Sequence, residues 1–490
     1  MLRQPLLALL ILCLLTIGQA KGQSVSYQDL NNKELRTYYD ENRATAGPWL
    51  GLPGIKDERW RPVRWEWFRQ KPNIRDFDGC PSFVQFEHGA WLGHTFVIIA
   101  HPDSLMAYHN IEVADRNREA LRYYIYEADR DSTTYISLEG QKLKEIPEWI
   151  YEFEHLKTLN LSGTSITHLP ARLNTLDSLS SLSLDNMRYP DSIAVDKLTN
   201  ITDLSAKTNG WTHCPKWITR FKGLEEVDLS KNALERIPNR IVWMRQLRTI
   251  KVSNNPIDLD HQWLVGLHKL TNLRLNSCGL TSIHPKILRL RKLTELQLSD
   301  NQITEIPAKI SKLRRLESLA LYKNQISEIP PEFYTLKKLR IVDFFYNNIE
   351  RISPEIAQLE NLEILYLANN RLFDLPESLG NLKQLKELYL HHNRLSDLPN
   401  SLASLEELKV MHINHNYFTQ FPDELLSLKH LRDLDISYNE IPTIPLAVTQ
   451  FSDIRFLFLI ETNMDLENGP GLELKQALDA LQTQGVKVGY

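Results

Sequence analysis

The sequence predicts an α/β solenoid: short parallel strands stacked along a curved, concave sheet, with turns behind them and a small α+β region in front. Three observations carry this. Asparagine, or a residue standing in for it, recurs at 141, 164, 187, 209, 232, 255, 278, 301, 324, 347, 370, 393, 416, 439 and 462. Just before each of these positions apolar residues alternate with others, the pattern of a strand with one buried face. Six residues after it, ten of the fifteen repeats carry proline, which fixes φ, has no N–H to donate and so ends the strand.

The elements follow in chain order. Arg3, the apolar run Leu6–Leu15 and the small residues of Gly18-Gln19-Ala20 predict a signal peptide over residues 1–20, cut after Ala20. The run is too short to cross ~30 Å of hydrocarbon, and Leu12 stands where a lipoprotein signal ending at Cys13 needs a small residue. Loss of Arg3 takes the formal charge from −4 to −5. No later apolar run is long enough for a membrane helix. The expected location is the periplasm, or outside the cell as a secreted or surface protein. Cys80, Cys214 and Cys278 remain after cleavage, and an odd count leaves at least one free thiol. The repeat register turns Cys214 and Cys278 inward, as buried thiols.

Residues 21–133 are Trp-rich and aperiodic. They predict a small α+β capping region packed on the first repeat, with a helix over Gln28–Asn42 and strands over Thr95–Ala100 and Leu121–Tyr126. The solenoid occupies 134–468. Residues 469–490 form the other cap, because a stack of repeats must cover its terminal core. Leu474, Leu478 and Leu481 line one helix face, Gly485 ends the helix, and Val486–Val488 adds a last strand.

The repeat is clearest from Leu293 to Pro307, where Leu293, Leu296, Leu298, Asn301, Ile303, Ile306 and Pro307 give the pattern LxxLxLxxNxLxxLP. Leu316–Pro330, Leu362–Pro376 and Leu385–Pro399 repeat it. Thirteen of the fourteen steps are 23 residues, and the residue five before the ruler is Ile, Leu, Val or Met in all fifteen repeats. The motif resembles the leucine-rich repeat in its 23-residue LP form, similar to the Ras-suppressor and Scribble type and to bacterial exported leucine-rich proteins. The resemblance covers residues 134–465. It implies a concave parallel sheet that serves as a binding surface. The clustered cysteines that cap animal extracellular members are missing, which points to a bacterial source.

Fifteen strands at ~4.8 Å make an arc of about 70 Å. Each Asn has donors and an acceptor, and is expected to satisfy backbone groups of its own and the next repeat. Without it those groups would be buried unpaired at ~1–3 kcal/mol each. The third repeat (Met187, Tyr189-Pro190) and the sixth (Asp258 to His261) depart from the LP turn.

Chemistry is sparse. Lys+Arg at 57 and Asp+Glu at 61 leave no basic footprint for nucleic acid. There is no phosphate loop, nucleophile elbow, zinc-protease or EF-hand motif. Cys80, His88, His94, His101 and His109 match no common zinc spacing, so no cofactor and no catalysis are expected. Function is read from the outward positions, four and two residues before the ruler. In repeats one to eight they are small or polar: Ser137, Asn160, Ser183, Ser205, Ser230, Lys251, Arg274, Asn276 and Gln297. From repeat nine they turn aromatic. The candidate site is Tyr322, Phe345, Tyr346, Tyr366, Tyr389, His391, His412, Asn414 and Phe458, flanked by Ile341, Ile364, His392, His415, Tyr438 and Phe456. Exposed rings are costly in water and mark contact surfaces. The expected function is an exported, non-enzymatic scaffold for a protein ligand. The alternatives are a glycan-binding protein with Tyr366 and Tyr389 as stacking platforms, and an enzyme with its site in residues 21–133. His391 and His412 are expected to make binding depend on pH between 5 and 8. They and His415 lack a third donor type, which argues against metal ligation.

Overall fold

A computed structural model describes residues 133–490, apart from 142, 189–192 and 261, together with the backbone of Phe96–His101 and Ser104–Tyr108. The signal peptide, the helix over Gln28–Asn42, the strand over Leu121–Tyr126 and the side chains of the Cys80 group lie outside the described residues. Phe96–His101, close to the expected strand, pairs antiparallel with Ser104–Tyr108.

Sixteen strands form one parallel sheet in strict sequence order: the fifteen repeat strands, then Lys487–Gly489. The chain divides into two compact units, residues 1–211 with 215–228, and residues 212–214 with 229–490.

In the first unit Tyr135–Ser137, Thr158–Asn160, Ser181–Ser183, Asp203–Ser205 and Glu226–Asp228 pair in register. The irregular third repeat has a physical outcome here. In place of the usual turn, Ala194–Val195 pairs with His168–Leu169 as a second, two-stranded sheet. Ser137, expected to face outward, is buried.

The second unit is more regular. Each repeat strand is three residues long, with its central residue buried and its outer two at least partly exposed, as in Glu295–Gln297 and Ser318–Ala320. Behind most of these strands a proline opens a five-residue 3-10 turn, such as Ala308–Lys312, which buries Ile310. The sixth repeat lacks the proline. Its turn shrinks to Gln262–Leu264, and Trp263 is fully buried. Ser230, also expected outward, is buried. Burial pushes the thiols of Cys214 and Cys278 up to about 12 and about 11. At the end, Gly469–Thr483 is a helix burying Leu474, Leu478 and Leu481, and Gly485 follows it at φ +93°. Among the described residues no helix is long and apolar enough to cross a membrane.

The asparagines bond differently from the expectation. Nδ2 of Asn324 donates to the carbonyls of Leu321 and Tyr322 in its own repeat and of Leu298 in the preceding one. Its Oδ1 accepts from the N–H of Ile303, also in the preceding repeat. Asn347, Asn370, Asn393 and Asn416 repeat the same set. The ladder ties each repeat to the one before it, because the side chain sits past the strand where the chain has already turned back over the earlier coil. The residue just before each ruler position is left-handed in all fifteen repeats, and only Gly140 and Gly163 are glycines. A side chain there costs ~1–2 kcal/mol.

Leu319 is fully buried and Ser318 is not. Leu319→Ala should cost ~2–5 kcal/mol in chemical denaturation, and Ser318→Ala within about 0.5 kcal/mol. Equal losses would mean the register is wrong.

Candidate functional site

Parallel pairing with no stagger puts equivalent residues of successive repeats side by side. One column of the open sheet face therefore reads Asp343, Tyr366, Tyr389, His412, Asp435 and Phe458. Tyr366 and Tyr389 stack, with centroids 4.7 Å apart and planes 13° from parallel. His412 meets Tyr389 edge-on at 5.1 Å.

A second column, two residues further along, holds Tyr322 and Phe345, stacked at 5.4 Å. In the next repeat the position is Ala368, small and wholly buried. Phe345 and His391 consequently meet across it at 5.6 Å, two repeats apart. Tyr389 and His391 lie 6.4 Å apart, joining the two columns.

A third column sits at the left-handed positions. His392 and His415 are 4.1 Å apart, and His415 and Tyr438 stack at 4.2 Å. Tyr346, at the same position in repeat ten, packs on Phe345 at 4.7 Å and is 49% exposed. Carrying Tyr on a left-handed backbone is a local cost that folding does not require.

Seven of the nine candidate residues are thus linked ring to ring: Tyr322, Phe345, Tyr346, Tyr366, Tyr389, His391 and His412. Asn414 lies on the same face, but its described bonds are through its carbonyl. Phe458 stands apart. Asp435 separates it from His412, and it lies beside Gly489 of the last strand.

Charged groups border the rings. Tyr389 donates its hydroxyl to Glu387 at 2.9 Å, and burial with this carboxylate pushes the phenol well above its usual range. At the sheet edge, Glu363 sits between Arg340 at 2.6 Å and Lys386 at 2.9 Å, which hold its carboxyl at about 2. Burial pushes the Asp343 carboxyl up, opposed by the N–H of Phe345 at 2.9 Å. His412 Nε2 is 3.1 Å from Asp433 Oδ1, but the angle is not that of a hydrogen bond. Asp343, Glu387 and Asp433 were missed from the sequence. Their signal was their register, since each stands on an outward position beside a predicted ring.

His391 corrects one expectation. Burial, and then the neighbouring imidazoles of His412, His392 and His415, pull it down to about 4, so it is neutral throughout pH 5–8. Its Nδ1 is buried without a hydrogen-bond partner. Among the described residues no three His, Cys, Asp or Glu side chains are grouped to hold a metal ion.

Residues 335–447 match the leucine-rich repeat region family, and residues 268–326 the leucine rich repeat family. The chain is a leucine-rich repeat protein. Among solved structures it is similar to a leucine-rich repeat protein of Leptospira interrogans, 25% identical, with a TM-score of 0.59 over 74% of this chain and 97% of that one. An internalin of Listeria monocytogenes is 20% identical, with a TM-score of 0.52 over 69% of this chain and 87% of that one. A chain of the Drosophila Toll–Spätzle complex is 18% identical, with a TM-score of 0.53 over 69% and 48%. No curated protein matches the chain.

The His391 geometry generates a stability prediction. Its folded-state value lies below the unfolded ~6.5. The unfolded chain therefore takes up the proton first, and stability falls as pH drops from about 6.5 toward 4. Discounted for partial exposure, the effect should be about 1–2 kcal/mol. His391→Phe keeps a ring there and should reduce the loss between pH 7 and 4.5 by that amount, read from urea midpoints. An unchanged pH dependence would contradict the burial argument.

Proposed function

We propose that this leucine-rich repeat protein is exported to the periplasm or cell surface. There it acts as a non-catalytic scaffold that binds a protein ligand on the open sheet face of repeats nine to fourteen. The observation that carries the reading is the ring cluster from Tyr322 to Tyr438, joined by contacts of 4.1 to 6.4 Å. Nothing in folding demands it, since the first eight repeats use small and polar residues at equivalent positions. Six strands span about 25 Å, a patch compatible with the ~800 Å² per partner of a standard interface. The rings are already ordered by one another, so little side-chain entropy remains to be lost on binding.

The same geometry speaks against a sugar platform. Stacking on a pyranose needs a free ring face. Tyr389 has one face on Tyr366 and the edge of His412 beside it. A protein ligand, reading edges, hydroxyls and the bordering charges together, suits the arrangement better.

Capture by crosslinking from the native envelope should yield the partner. Tyr366→Ala with Tyr389→Ala should then weaken its binding by ~2 kcal/mol or more and leave the thermal midpoint nearly unchanged. Ser183→Ala with Ser205→Ala should do little. Wild-type affinity in the double tyrosine variant would remove the basis for this reading. For export, N-terminal sequencing of secreted or periplasmic material should begin near Lys21. An intact Met1 there would sink the signal-peptide assignment.

A further inference from the structure

Of the two carboxylates in the first column, Asp343 and Asp435, Asp343 alone has an aromatic ring two residues on, Phe345 where Asp435 has Ser437. It pairs across the sheet with Ala320 on one side and Tyr366 on the other. Phe345, two residues on, shares its face and stacks on Tyr322. Ala320 sets only a methyl group beside the carboxylate from repeat nine. The carboxyl accepts one hydrogen bond, from the N–H of Phe345.

That bond needs an acceptor but not a charge. In the second repeat Asn160 does the same work, accepting from the N–H of Ser162 at 3.0 Å. Burial penalises a charge, so folding alone would favour the amide at 343. Arg340, three residues before it, and Lys323, in the preceding repeat, do not compensate it. Arg340 is engaged by Glu363, and Lys323 by Asp300, each at 2.6 Å. An uncompensated carboxylate beside Tyr366 and Phe345 has the complement of a cation: the carboxylate supplies the charge, and the ring quadrupoles attract the same group.

We propose that Asp343 anchors a basic side chain of the protein partner, an ammonium or guanidinium that enters over Ala320 and seats against Phe345 and Tyr366. The proposal rests on the protein-binding reading above and names the chemistry of one contact within it.

The test uses the mature chain and three small probes: the acetylated amides of arginine, of lysine and of neutral citrulline, followed by saturation-transfer NMR. The arginine or lysine probe should bind saturably. Binding should be about tenfold weaker for Asp343→Asn, which keeps the acceptor for Phe345 but loses the charge, and for the citrulline probe. Asp435→Asn, the matched change in repeat fourteen, should bind as wild type. An unchanged thermal midpoint for Asp343→Asn excludes a folding defect. Equal binding by the Asp343→Asn protein, equal binding of citrulline, or no saturable binding of either cation overturns the anchor. If the anchor fails while the Tyr366/Tyr389 variant still loses the captured protein, the protein-binding reading stands without it.

Discussion

The buried asparagine is the constraint on which the rest depends. At each ruler position from 324 to 416 one side chain closes bonds to its own repeat and to the repeat before it. A slip by one residue would leave those backbone groups buried and unpaired, at ~1–3 kcal/mol for each group, and would turn every strand residue to the wrong face. The ladder therefore sets phase as well as stability. With phase set, the identity of each outward column is a direct reading of the sequence at a fixed offset. Where the ladder weakens, so does the regularity. Met187 and Thr164, which lack the amide, flank the repeat whose turn side becomes the strand pair Ala194–Val195 with His168–Leu169.

This explains what was legible. The offset rule puts Leu319 in the core and Tyr366 beside Tyr389 from the sequence alone. It failed where the outcome depended on what lies across a repeat boundary. The Asn bonds run to the preceding repeat because of how the turn folds back, which the spacing alone does not encode. The contact between Phe345 and His391 exists because Ala368 between them is small, a relation among three repeats rather than within one. His391 is expected from the sequence to make binding depend on pH because an ordinary imidazole titrates between pH 5 and 8. In the fold its neighbours are rings that exclude water, and burial outweighs them as a cause of its shift.

The two ends of the second unit also differ in what they bear on the open face. Asn272, Arg274 and Glu295 form a hydrogen-bonded polar network, which water can solvate at little cost. From Tyr322 onward, rings occupy the same columns and leave apolar surface partly exposed, with Tyr438 at 41% and Ile341 at 38%. Both versions are compatible with the ladder beneath, so the ladder does not choose between them. The aromatic version is the more expensive in water.

The charges within that face sharpen the point. Most are locally neutralised: Glu363 by Arg340 and Lys386, Asp300 by Lys323. Pairs of this kind cost little to keep and offer little to a partner, because a ligand must break one attraction to make another. Groups left without such compensation behave differently. The Asp343 carboxyl and the Nδ1 of His391 have paid part of their desolvation in the free protein, so less remains to be paid when a partner covers them. A surface of stacked rings and a few uncompensated polar atoms is thus preorganised for association. In the proposed complex the paired charges around it would set orientation rather than strength.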